Sequence, residues 1–298
     1  MSLPDLHRHL DGSLRRATLE ELARDQGVSL PDEDLRFFAG MGLEAALRRF
    51  ALTLSVLQKP AAVRRVAAEI CEDADREGVT TLEIRFAPQL HRGAAVEEIV
   101  DAALEGVAGR AGILLCGLYG EAPEVLERLV SVSASRPGVA GIDLAGGPSS
   151  GARYGLVDYA GAFARARDHG LGRTVHAGEG RPPAEIRVAI ERLFAQRIGH
   201  GTTLLQDPSV LDLVLERGVT IEACLSSNVH TGVIAELEDH PLPDWLRRGV
   251  RACVCTDNTL FSDVDARSEH EHAARLRGMT PALLERAIAC GHAAAFRR

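Results

Sequence analysis

The chain has 298 residues and carries 34 Lys and Arg against 42 Asp and Glu, a net charge of −8. That balance argues against a general nucleic-acid binder, which needs a basic face. Hydrophobic residues at 46% and charged residues at 26% exclude a disordered chain and allow a large core without disulfide or metal staples.

Short apolar runs alternate with amphipathic stretches. Strand candidates are 3–9, 81–87, 112–118, 139–145, 173–177, 197–200, 220–225 and 251–256. Helical patterns occupy 17–24, 43–57 and 61–76 before the second strand, then 96–107, 123–132, 159–168, 184–195, 209–216 and 281–294. One helix between successive strands implies parallel strands with right-handed crossovers. Eight such units predict a (β/α)8 TIM barrel with extra helices between the first and second strands, in one domain over 1–298. An open doubly wound sheet would want a GxGxxG loop after the first strand, and none is there. The glycine-rich stretch 146–151 reads as a flexible loop, not a domain boundary.

No run approaches the roughly 18 apolar residues of a membrane helix. The opening MSLPDLHRHLDGSL lacks the basic and apolar regions of a leader peptide. Cys71, Cys116, Cys224, Cys253, Cys255 and Cys290 are scattered, which reads as reduced, buried thiols in a cytoplasmic protein. Neither a membrane nor a nucleic acid is expected as a partner. Oligomeric state is not written in the sequence, and a homo-oligomer is compatible with it.

In such a barrel the chemistry sits at the C-terminal strand ends. The first strand ends His7-Arg8-His9, and residues two apart share a side. The fifth carries His176 and then Glu179, the sixth ends at His200, and the eighth leads to Asp257 and Asn258. Three His and one Asp around an opening make a mononuclear zinc site with room for water, leaving Glu179 and His200 for acid–base work. Each residue also has an ordinary reading. The His pair can be packing, Glu179 a helix cap, His200 a satisfied core histidine and Asp257 a turn residue. Their joint placement at one end of the barrel favours chemistry.

Six segments taken together resemble the adenosine deaminase family of the amidohydrolase superfamily. They are LPDLHRHLDG at 3–12, GIDLAG at 141–146, TVHAGE at 174–179, RIGHG at 197–201, SSN at 226–228 and CTD at 255–257. The resemblance implies that His7, His9, His176 and Asp257 hold one zinc ion per chain, although such donors also accept other divalent first-row metals. It implies that Glu179 protonates purine N1 and that His200 assists formation of the attacking hydroxide. Asp257 would take part in the chemistry as well as in the metal site. Gly146 N–H would meet ring N3, Asp11 a ribose hydroxyl and Asn258 ring N7. The implied reaction is hydrolytic deamination of a 6-aminopurine nucleoside, foremost adenosine or 2′-deoxyadenosine. The rivals are adenine or a 5′-modified nucleoside such as aminodeoxyfutalosine, and an inactive nucleoside-binding homologue.

Four departures from the family pattern bear on the substrate. Asn258 stands where a second Asp is usual, Gly147 where an acidic residue is common, and the segment between the first two strands looks short, as does the stretch after the last helix. Phe37, Phe38, Met41 and Leu43 are candidates for an apolar wall there. Arg85 is expected to pair with Glu83 or with a neighbour beneath the site, and His91 to edge the pocket. His230, His240, His270, His272 and His292 are expected in surface or structural roles. Trp245 and Leu246 are expected to pack a helix on the barrel.

Overall fold

The computed structural model describes residues 2–31, 35–147 and 152–296. Positions 148–151 of the predicted glycine-rich loop lie outside the described residues. Eight strands follow one another: β1 (Leu3–His9), β2 (Val79–Phe86), β3 (Gly112–Leu118), β4 (Val139–Ala145), β5 (Gly172–Ala177), β6 (Arg197–His200), β7 (Thr220–Ala223) and β8 (Arg251–Val254). They are hydrogen-bonded in the order β1 to β8, and each neighbouring pair is parallel.

Three helices, α1 (Arg16–Gln26), α2 (Leu43–Val56) and α3 (Pro60–Glu77), fill the long first connection. The crossovers that follow carry α4 (Val96–Val107), α5 (Pro123–Ala134), α6 (Ala160–Asp168), α7 (Ala184–Arg192) and α8 (Pro208–Arg217). After β7 come α9 (Leu225–His230) and α10 (Leu242–Arg247). After β8 come α11 (Thr259–Ser262), α12 (Ala266–Arg275) and α13 (Pro281–Ala294). The TIM barrel with extra helices before β2 is therefore the observed fold. The seventh and eighth strands end two residues earlier than predicted. Residues 225 onward begin α9 instead, and Cys255-Thr256 is already loop. No described helix is long and apolar enough to cross a membrane.

Strand alternation sorts the side chains. Ile84, Phe86, Ile113, Leu115, Ile142, Leu144, Val175, Ile198 and Ile221 belong to one continuous core with the buried faces of the helices, including Val63, Ile99, Leu129, Phe163, Ile186 and Trp245. The intervening residues fill the barrel. There Arg85, Asp143, Thr174, Arg197 and Glu222 are all buried.

Two local features position the strand ends. The β1–β2 register slips between Asp5 and Arg8, a bulge of the kind that re-aims side chains. Leu6 consequently packs with Cys224, Cys253 and Cys255, while the next residue, His7, also reaches interior Glu222. The barrel closes between β1 and the residues after β8. His9 N–H donates to Asp257 O at 2.8 Å and Asp257 N–H to His7 O at 2.8 Å. Closure thus joins the segments that carry His7, His9 and Asp257.

Candidate active site

The structure brings His7, His9, His176, Glu179, His200, Asp257 and Asn258 to the C-terminal mouth of the barrel. His9 Nε2 lies 3.2 Å from His7 Nε2, 3.3 Å from His176 Nε2 and 3.4 Å from Asp257 Oδ1. Room for this crowding comes in part from Gly199. A Cβ there would stand 3.0 Å from His7 Cε1.

The other ring nitrogens are committed elsewhere. His7 Nδ1 contacts Glu222 Oε2 at 2.7 Å, and His176 Nδ1 contacts Asp143 at 3.1 Å. A carboxylate only accepts, so both Nδ1 atoms carry protons, and in the neutral rings both Nε2 atoms present lone pairs. Lone pairs aimed at one another at this range repel unless a cation lies among them. Burial and the neighbouring Arg85 also hold His7 and His9 well below the ordinary histidine pKa, and neutral imidazole is the form that ligates. Three imidazoles and a carboxylate, with His7 and His176 each oriented by a buried acid, therefore fit a divalent metal. Cys224 also comes near His7, His200 and Asp257. Burial and two adjacent carboxylates push its thiol pKa far up, so it stays a protonated packing group.

The supports lie one layer lower. Arg85 donates to Asp143 and Glu222, each at 2.9 Å. Arg197 pairs with Glu83 and, at 2.7 Å, with Glu222. Arg85 thus serves the group beneath the site, and the alternative Glu83 pairing is taken by Arg197. Sequence reasoning passed over Glu222. Its signal was a charged residue inside the buried strand Thr220–Ala223, which must find partners.

Glu179 follows Gly178, whose φ of 68° turns the chain off β5. The Glu179 side chain is only 2% exposed. Burial raises its pKa, opposed by His176, Arg181 and a hydrogen bond from Thr231. His200 and Asp257 both have positive φ, 66° and 63°, a strained conformation for non-glycine residues that is common at working sites. Asp257 accepts from Ser227, although burial raises its pKa. The Asn258 Oδ1 atom is buried against Gly12 without a partner.

A space of about 50 Å³ lies over these groups, bordered by Phe37, Leu43, Ala46, Leu47 and Phe50. A second cavity of about 330 Å³ shares His9, Leu47, Phe50 and Gly146, and adds Asp11, Leu54, Leu90, Leu118 and Tyr119. Asp11 has an unpartnered Oδ1, and burial raises its pKa to about 7. Phe37 and Leu43 form the wall as expected. Phe38 is 59% exposed and Met41 packs behind Phe37. Leu47 and Phe50 take the remaining places.

His91 does not line either cavity. It is buried on Leu57 O at 2.6 Å. His270, His272 and His292 bond Ala266, Ser226 and Thr81, respectively, and His230 bonds Ser262. His240 is fully enclosed and reaches Asn228. Trp245 and Leu246 are buried as expected.

The adenosine deaminase family profile matches residues 3–297. An adenosine deaminase from Serratia proteamaculans is 36% identical over 318 aligned positions, covering 99% of this chain and 94% of its own. Among solved structures, the adenine deaminase from Arthrobacter aurescens superposes with a TM-score of 0.90 at 26% identity, over 99% of this chain and 94% of that one. The N6-methyl-AMP deaminase from Arabidopsis thaliana gives a TM-score of 0.87 at 25% identity, over 100% and 93%. The chain belongs to the adenosine deaminase family and is a hydrolase acting on C–N bonds of cyclic amidines.

Proposed function

We propose that the protein converts adenosine or 2′-deoxyadenosine to the 6-oxo nucleoside and ammonia, using one zinc ion held by His7, His9, His176 and Asp257. The observation that carries the reading is the pair of oriented imidazoles, His7 and His176, whose lone pairs converge beside a buried carboxyl, Glu179. A divalent metal in such a donor set supplies a hydroxide nucleophile near neutral pH.

The residues of the chain do the rest. Burial keeps a proton on Glu179, which it delivers to N1 as hydroxide adds at C6; this makes C6 electrophilic. His200 stabilises the incoming hydroxide from the side. The added hydroxyl gives its proton to the departing amine, and the proton that the water lost on becoming hydroxide returns to the Glu179 carboxylate, so one water enters, one ammonia leaves and the acid is restored. The Asn258 amide donates to N7 in place of a protonated carboxyl. Gly146, with φ of 75°, offers its N–H to N3, and Asp11 meets a ribose hydroxyl. Leu43, Leu47 and Phe50 supply the apolar border of the site.

Adenine is the second reading, favoured by the likeness to an adenine deaminase. The larger cavity beside Asp11 supports a nucleoside instead, because a free base would leave it unused. Neither cavity is lined by a described Lys or Arg, so a neutral 5′ side suits the site better than a phosphate. Six free cysteines, five of them buried, are compatible with the cytoplasm as its location and with one barrel domain over 1–298.

Ammonia release by the zinc-loaded enzyme from adenosine, adenine, AMP and 5′-substituted adenosines tests the substrate. The highest kcat/KM is expected for adenosine or its 2′-deoxy form. Faster turnover of adenine would replace this reading with the second.

A further inference from the structure

His200 is one end of a buried chain of hydrogen bonds whose direction is set far from the metal donors. At the other end, the backbone N–H of Leu242 points at His240 Nδ1, 3.2 Å away. A backbone N–H only donates, so His240 Nδ1 must be a bare acceptor. The ring is then neutral and carries its proton on Nε2, consistent with complete burial, which pushes its pKa down to about 3. His240 Nε2 stands 3.2 Å from Asn228 Oδ1, so Nε2–H donates there. The Asn228 amide is thereby locked in one orientation, with Nδ2 facing His200 Nδ1 at 3.0 Å. An amide N–H₂ only donates, which makes His200 Nδ1 an acceptor. A doubly protonated His200 would set two donors against each other. The neutral ring therefore holds its proton on Nε2.

We infer that Asn228 and His240 are positioning residues that fix His200 as the Nε2–H tautomer, so that it serves the reaction as a hydrogen-bond donor through Nε2 and not as the acceptor of the water's proton. The inference about catalysis rests on the deaminase reading; the tautomer does not. Neither residue touches the other reacting groups directly, and both act through which nitrogen of His200 is protonated. The sequence places them 12 residues apart with no helical or strand spacing between them. They meet because the turn at 237–239, just ahead of His240, packs on α9. Backbone groups hold both partners, His240 N–H donating to Leu237 O at 3.0 Å. Asn228 N–H donates to Cys224 O at 3.0 Å, and Asn228 O accepts from Ile234 N–H at 3.0 Å.

The test is a long-range ¹H–¹⁵N correlation spectrum of zinc-loaded enzyme labelled with ¹⁵N-histidine, with His200 and His240 assigned by substitution. Both rings should show protonated Nε2 and bare Nδ1. A His200 ring protonated on Nδ1 in the wild type would overturn the inference, whatever the activity. Asn228→Asp replaces the donor by an acceptor and should move the His200 proton to Nδ1. A drop of kcat on the order of 10- to 100-fold is expected, with KM changed much less. His240→Gln retains one acceptor and one donor in the same places, so it should keep the His200 tautomer and more turnover than His240→Leu. An unchanged His200 spectrum in Asn228→Asp, or equal losses in the two His240 variants, would count against the relay. Loss of activity toward every purine with the tautomer intact would refute the deaminase reading and leave the relay standing.

Discussion

At the scale of residues, environment divides the work among similar groups. Asp143 is held well below the usual carboxylate range despite its burial, because His176 and Arg85 stabilise the charge. Asp11, without such partners, is pushed up to about 7. A carboxyl whose folded pKa exceeds its unfolded one keeps a proton that the unfolded chain releases. Stability is therefore lost as pH climbs from about 4 to about 7, and the full cost is present above that window. Asp11→Asn removes the titration. Relative to wild type it should gain stability between pH 5 and pH 8, by at most about 3 kcal/mol. Denaturant midpoints of both proteins at the two pH values measure this, and a difference independent of pH would show that Asp11 is not buried as an acid. Such residues were legible in the sequence where they stand at strand ends, as His7, His9, His176 and Asp257 do. Asn228 lay within a recognised segment, but its role depends on His240. No local pattern marks that pair, so the histidine passed for an ordinary structural one.

Elements place these groups by departing from regularity. The bulge in β1 lets Leu6 and His7 both reach the interior, and β8 ends early enough for Asp257 to hydrogen-bond to β1. Hydrophobic patterning located the strands because apolar faces repeat, yet it gave no sign of a bulge, which depends on pairing with a distant strand. The same limit hid Glu222. On β7 it holds His7, Arg85, Arg197 and Thr174 simultaneously. Removing one charge from a buried set leaves the others uncompensated. Glu222→Gln should cost about 3–5 kcal/mol of stability and weaken metal binding about 10- to 100-fold. Urea unfolding and competition with a chelator read the two effects separately. A variant with native stability and metal affinity would mean that Arg85 alone orients the site from below.

Across the whole molecule, one direction of the chain explains the arrangement. Eight parallel strands end at the same face, so residues up to 250 positions apart converge there, His7 and Asp257 among them. The opposing charges inside the barrel, Arg85 and Arg197 against Asp143, Glu222 and Glu83, hold that face rigid and dry from beneath. No described Lys or Arg lines either cavity at the mouth, in keeping with a small neutral substrate. The alternation of strands and helices made this architecture legible. Cavity shape was not, because Leu47 and Phe50 belong to a helix whose position over the mouth is set by packing alone. The proposed reaction requires Glu179 as the proton donor to the purine beside an intact metal site. Measuring adenosine turnover and metal content of Glu179→Gln tests it most directly. One metal ion per chain and a rate reduced by about 10²- to 10⁴-fold are expected. Wild-type turnover by that variant would contradict it.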